Sequence, residues 1–119
     1  MAIRVHQLPG CTSCEQAGAW LSAHQVQTET RHIRRDPPTR QELAEMAALH
    51  PKGALGLLST RSIRYRELGL AGHSLTDNEL LDLLAREPKL LRRPLITDGQ
   101  RLVVGFDRAG MEALAGSAR

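Results

Sequence analysis

Apolar and polar positions near the start of the chain alternate with a period of two. Ile3 and Val5 stand against Arg4 and His6, the pattern of a strand with one dry face. It predicts a strand over Ala2 to Gln7, ended by Pro9-Gly10. From Glu15 to His24 the spacing becomes helical, with Ala17, Trp20 and Leu21 on one side. Thr12 or Ser13 is the expected cap, because a hydroxyl can accept the free amides of the first turn. Thr28 to Ile33 is a second short strand, and Asp36-Pro37-Pro38 a turn. Thr39 followed by Glu42 is a capping-box pattern, and Leu43, Met46 and Ala47 share a helical face behind it.

Pro51-Lys52-Gly53 interrupts that helix. Ala54 to Leu70 predicts one or two short helices ending near Gly69. Ser74 to Thr76 opens another, carrying Leu75, Leu80, Leu83 and Leu84 and ended by Pro88. The last third returns to strands. Leu95-Ile96 and Leu102 to Val104 flank Asp98-Gly99, a hairpin signal, and Asp107 to Ala115 can close the chain as a helix. The order is β-α-β, a helical block over about 39–90, then β-β-α. It predicts one α/β domain: a mixed sheet flanked by helices, with a helical insertion.

Composition changes this picture little. A chain of 119 residues with 41% hydrophobic and 24% charged positions fits one globular domain. Aromatics make up 3%, namely Trp20, Tyr65 and Phe106. The core must therefore come mostly from Leu, Ile, Val and Ala, and so few aromatics argue against a base-stacking platform for single-stranded nucleic acid. The net charge of +3 is local. Arg31, Arg34 and Arg35 form one cluster, Arg61, Arg64 and Arg66 a second, Arg92 and Arg93 a third. Such clusters suit a small anion or an acidic partner surface more than DNA. No apolar run approaches the ~20 residues that span a bilayer, and the first residues lack a signal-peptide pattern. The expectation is a cytoplasmic protein that meets neither membrane nor nucleic acid directly.

Chemistry concentrates at Cys11-Thr12-Ser13-Cys14. Cys11 follows a strand and opens a helix, where free amides and the positive helix end stabilise a thiolate. Cys14 is one turn on, so the two sulfurs can close a disulfide. The same helix end also attracts anions. Zinc is a poor fit, because no second cysteine or histidine pair supplies the remaining ligands. Arg61 and Arg93 are candidate anion holders, since a guanidinium offers planar, bidentate donors. Arg93 directly precedes Pro94, and an X-Pro bond can be cis. His6 is either a side chain that steadies the thiolate or an ordinary strand histidine.

Several further stretches carry a resemblance. They are Pro37-Pro38-Thr39-Arg40-Gln41-Glu42-Leu43, Ser59-Thr60-Arg61-Ser62, Tyr65-Arg66-Glu67-Leu68-Gly69-Leu70, Leu75-Thr76-Asp77 and Leu90-Leu91-Arg92-Arg93-Pro94-Leu95-Ile96. With the Cys11–Cys14 loop and in this order, they resemble the ArsC/Spx family of glutaredoxin-coupled arsenate reductases and Spx-type transcription regulators. The resemblance spans nearly the whole chain. It implies a thioredoxin-like, glutaredoxin-type fold with a helical insertion.

The reductase branch implies that Cys11 attacks arsenate while Arg61 and Arg93 hold the oxyanion. Thr12, Ser13 and His6 are further candidates for substrate contact. No bound cofactor is implied; glutathione with glutaredoxin, or thioredoxin, would supply electrons. This chain departs from that branch in three ways. His6 lies five residues before the cysteine instead of four. Val104 stands where a third arginine is usual, with Arg108 nearby. Cys14 is an added thiol that could resolve a Cys11 adduct. The regulator branch has the same Cys-Thr-Ser-Cys loop as a redox switch. It also has an arginine matching Arg93 that stabilises the oxidised form. A glycine matching Gly53 lies on the surface that meets the C-terminal domain of the RNA polymerase alpha subunit. The expectation is an arsenate reductase-like thiol oxidoreductase, with a Spx-type redox-sensing regulator as the alternative.

Overall fold

Four strands form one sheet in the order β2-β1-β3-β4. The computed structural model describes residues 2–118. β1 (Ile3–Gln7) and β2 (Thr28–His32) are joined through α1 (Thr12–Ala23) and pair in parallel. β3 (Leu95–Thr97) is antiparallel to β1, and β4 (Leu102–Val104) antiparallel to β3. Between β2 and β3 lies the helical segment. It holds α2 (Arg40–Ala48), a 3-10 turn at Gly53–Leu57, α3 (Ile63–Glu67), α4 (Asp77–Arg86) and a second 3-10 turn at Pro88–Leu90. α5 (Arg108–Ala118) follows β4. This is the mixed sheet with helices that the periodicity predicts. No helix among the described residues is long and apolar enough to cross a membrane.

The alternation in β1 divides the interior in two. Ile3 and Val5 pack with Ile96 and Val103 against Ala17 and Leu21 of α1 and Met111 and Leu114 of α5. Arg4 and His6 take the opposite face. The second core gathers Leu43 and Met46 of α2, Leu84 of α4, and Leu57, Leu90 and Leu95. Leu, Ile, Val and Ala thus build both cores, joined by Met46 and Met111.

Local boundaries differ from the sequence expectation in informative ways. α1 begins at Thr12 instead of Glu15, and neither Thr12 nor Ser13 caps it; the N-cap is Cys11, whose sulfur accepts from the Cys14 amide. β2 ends at His32, and the Ile33 amide still donates to the Gln7 carbonyl at 2.8 Å. The stretch from Ala54 to Leu70 splits, because Ser62 starts α3 by accepting from the Tyr65 amide. Thr76 is the cap of α4, in a box with Glu79. At the hairpin, Gly99 has φ +92, and Asp98 Oδ1 accepts from the Gln100 and Arg101 amides.

Candidate thiol site

The turn after β1 presents Cys11. Gly10 adopts φ +83, a conformation glycine allows, and the Cys11 amide donates to the Leu8 carbonyl at 3.3 Å. Cys11 is half-buried at the N-cap, with extended backbone at φ −88 and ψ 116. Its sulfur accepts from the Cys14 amide at 3.3 Å. Cys14 is 1% exposed. Burial raises its thiol, the hydrogen bond with Cys11 raises it further, and it reaches about 12. Both cysteines are free. The pair therefore couples an accessible sulfur to a buried, protonated one within hydrogen-bond reach. Thr12 is exposed and Ser13 half-buried on the first turn beside them.

The predicted arginines separate. Arg93 is half-buried, its bond to Pro94 is cis, and its charge acts to lower the Cys14 thiol against the effect of burial. Arg61 instead lines a notch with Leu58, Ser59, Thr60 and Arg92, and neither cysteine lines it. At the position of the missing third arginine, Val104 is a half-buried β4 residue, and Arg108 is the first residue of α5.

His6 is 1% exposed and lies on the α2 face of the sheet. Burial and the Arg31 charge lower its imidazole to about 4; Arg4 also lowers it, while Glu42 and Asp36 raise it. None of these groups is a thiol. Its Nδ1 has no hydrogen-bond partner among the described residues. Burial pushes the neighbouring Glu42 carboxyl up. Hydrogen bonds from Arg31 and the Thr39 amide, with the charges of Arg31 and Arg4, overcome this and bring it down to about 2.

Two features escaped the sequence reading. One is the capping role of Cys11, which the helix start at Thr12 reveals. The other is Arg92 beside Arg61. The Arg92-Arg93 doublet carried the signal, since neighbouring residues in extended chain point opposite ways.

A thiol pair at the first turn of a β-α-β unit, on a mixed sheet beside a cis-proline, defines a thioredoxin-like thiol protein. The chain belongs to the ArsC family, whose model matches residues 6–114. It is 42% identical over 102 residues to the regulatory protein MgsR of Bacillus subtilis, covering 86% of this chain and 81% of the relative. It is 39% identical over 111 residues to the global transcriptional regulator Spx 1 of Lactococcus lactis, covering 93% and 87%. Among solved structures, an ArsC-family-related protein from Bacteroides fragilis superposes with a TM-score of 0.89 at 31% identity, covering 96% of this chain and 98% of the other.

Proposed function

We propose that the chain is a redox-switched regulatory protein of the Spx type, with Cys11 and Cys14 as the switch. The observation that carries this is the buried, protonated Cys14 facing the accessible Cys11 sulfur across one helical turn. The regulators named above support it, since each aligns over more than four-fifths of both chains. A peroxide oxidises the Cys11 thiol to a sulfenic acid and leaves as one water. The Cys14 sulfur then gives up its proton and displaces water, closing the disulfide. In sum, two thiols lose two electrons and two protons, and one peroxide becomes two waters. Arg93 lies near enough for its charge to act on the Cys14 thiol.

The partner in this reading is the C-terminal domain of the RNA polymerase alpha subunit, docking around Gly53. Gly53 adopts φ +63, and the Asp77 Oδ2 lies 2.5 Å from where a Cβ would stand. Any side chain there must displace Asp77 and reshape that surface. The reductase reading rests on Arg93 beside the thiols. In it, Cys11 displaces an arsenate oxygen as water, and a second thiol, from Cys14 or glutathione, completes the two-electron reduction. Glutaredoxin or thioredoxin would then restore the thiols.

A titration with the alpha C-terminal domain, in reduced and oxidised protein, separates the two. Binding that differs between redox states, and is lost in Gly53→Arg and weakened in the milder Lys52→Glu, is the expected result. Failure to bind in both states sinks the regulatory reading. Arsenate turnover that needs Cys11 would put the reductase in its place.

A further inference from the structure

A cavity of about 200 Å³ lies between β1 and α2, and neither cysteine lines it. Strand alternation builds one wall. Ala2, Arg4 and His6 alternate with the buried Ile3 and Val5 and share the face turned to α2. Thr97, paired with Arg4, extends that face across β3. Helical spacing builds the other wall. Glu42, Glu45, Met46 and Leu49 recur at three and four residues along α2 and its C-cap, which places them on one stripe. Asp98 of the β3–β4 turn completes the lining.

The lining changes character between the His6 end and the Asp98 end. His6 is 1% exposed, and its Nδ1 has no hydrogen-bond partner among the described residues. An unsatisfied buried polar atom costs stability, which a ligand that meets it restores. Burial, then the Arg31 charge, lowers the imidazole to about 4, so the ring is neutral at neutral pH. A neutral ring near Arg31 and Arg4 suits a hydroxyl, which can donate or accept, better than a cation. Glu42 is already taken, since it pairs with both arginines. Glu45 and Asp98 differ. Among the described residues neither has an ion-pair partner. Nor are three His, Cys, Asp or Glu side chains among those residues placed to hold a metal ion. Two such carboxylates suit an organic ammonium group, and Ala2, Met46 and Leu49 offer apolar surface to a stem. Leu95 is the β3 residue opposite His6, so Asp98 lies three residues on, about 10 Å along the strand. A stem of about four carbons, with a hydrogen bond at each end, covers that distance.

We propose that this cavity binds a straight-chain amino alcohol, its hydroxyl on the His6 imidazole and its ammonium between Glu45 and Asp98. The site is separate from the thiol pair and stands whichever way the thiols are used. Glu45 is exposed and Asp98 half-buried, so water screens their share. A dissociation constant on the order of millimolar is expected.

The test titrates aminobutanol, with its two functional groups at opposite ends, into the full reduced chain at neutral pH and constant ionic strength. Backbone amide and histidine ring resonances are followed. Saturable shifts at His6, Glu45 and Asp98 are expected. Pentylamine keeps the length and charge without the hydroxyl. It should bind roughly threefold more weakly or worse, as loss of one hydrogen bond to a buried group predicts. Butanediol keeps the hydroxyl without the charge and should also bind more weakly. Glu45→Gln and Asp98→Asn should each weaken aminobutanol binding about two- to fivefold. Asparagine keeps the Oδ1 that accepts from the Gln100 and Arg101 amides, so the turn is preserved. Glu112→Gln, at an exposed position on α5, should change nothing. His6→Leu should bind aminobutanol and pentylamine equally. Shifts that never saturate, or an equal loss in Glu112→Gln, overturn the site as general charge attraction. Pentylamine binding as tightly as aminobutanol in the parent, or a preference that survives His6→Leu, overturns the His6 contact. Butanediol binding as tightly as aminobutanol overturns the ammonium as part of the ligand.

Discussion

Helices α2 and α4 begin alike, and α1 begins with the same geometry made of different atoms. At α2 the Thr39 hydroxyl accepts from the Glu42 amide at 3.1 Å, and Glu42 Oε1 accepts from the Thr39 amide at 2.9 Å. At α4, Thr76 and Glu79 repeat this at 3.2 Å and 2.9 Å. At α1 the N-cap is Cys11 and the third helical position is Cys14, the places held elsewhere by Thr and Glu. A capping box works because the N-cap and N3 side chains reach back towards each other. Two sulfurs in those positions meet for the same reason. The redox motif thus occupies a helix start, exchanging a good hydroxyl cap for a weak sulfur acceptor. The stabilising version serves the insertion, and the reactive version serves the site.

The largest effect comes from returning oxygen to the first helix start. Cys11→Ser should abolish the intramolecular disulfide completely after mild peroxide treatment, read as two-thiol chemistry lost by alkylation and mass spectrometry. Serine is a preferred N-cap, so the same variant should unfold at slightly higher denaturant, by about 0.5 kcal/mol. A variant that is less stable than the parent would show that the sulfur holds the turn in some other way.

Acid probes the α2 start, which does more than cap. Glu42 Oε2 also accepts from Arg4 at 2.6 Å and from Arg31, so the box anchors α2 to β1 and β2 over the buried His6. His6 is lowered from 6.5 to about 4 in the fold. The unfolded chain therefore takes up a proton at a higher pH than the folded one. Stability should fall as pH drops from about 6.5 to about 4 and then stop changing on this account, a loss of at most about 3 kcal/mol. Glu42, lowered from 4.5 to about 2, adds a second loss as pH falls between those values. Urea midpoints at pH 7, 5.5 and 4 check the first phase. His6→Leu should flatten it, and a slope that survives His6→Leu would assign it to other groups.

A paired substitution separates capping from anchoring. Gln keeps the oxygen that accepts from the threonine amide but loses the charge. Glu42→Gln should cost about 2 kcal/mol, because Arg31 and Arg4 lose a partly buried carboxylate partner. Glu79→Gln should change denaturant midpoints far less, since Glu79 makes the cap contact alone among the described residues. Equal losses at the two positions would mean that the ion cluster adds nothing beyond the cap.

These contrasts also mark what the sequence could tell. The Thr39 box was readable because its residue types are the usual ones. The α1 cap was not, because a cysteine before Thr12-Ser13 draws the eye to the two hydroxyls beside it. The element order was readable from Ile3/Val5 and Leu102 to Val104, where period and burial agree. β2 was harder to bound, being an edge strand whose Thr28, Glu29 and Thr30 are exposed and carry no face. In the site, the thiol pair followed from spacing alone. The company of His6 and Arg61 did not. It depends on which side of the sheet His6 takes over α2, and on the Leu58–Leu91 bridge that sets Arg61 beside Arg92.

The far end of α1 offers the smallest test of the same trade. Gln25 follows the C-cap His24 and has φ +59, a left-handed conformation that costs a non-glycine residue about 1 kcal/mol. The Gln25 amide donates to the Ser22 carbonyl at 3.0 Å and the Val26 amide to the Leu21 carbonyl at 2.9 Å. This double bond closes a helix best with glycine in that place. Val26 packs onto the core that holds Leu21, which keeps the turn in register. Gln25→Gly should therefore stabilise by about 0.5 kcal/mol, the relief of strain being offset in part by the freer unfolded glycine. The rate at which Cys11 is alkylated in the folded protein should not change, because the C-terminal turn touches neither sulfur. A faster rate would show that α1 is loose enough at its end to govern reactivity at its start.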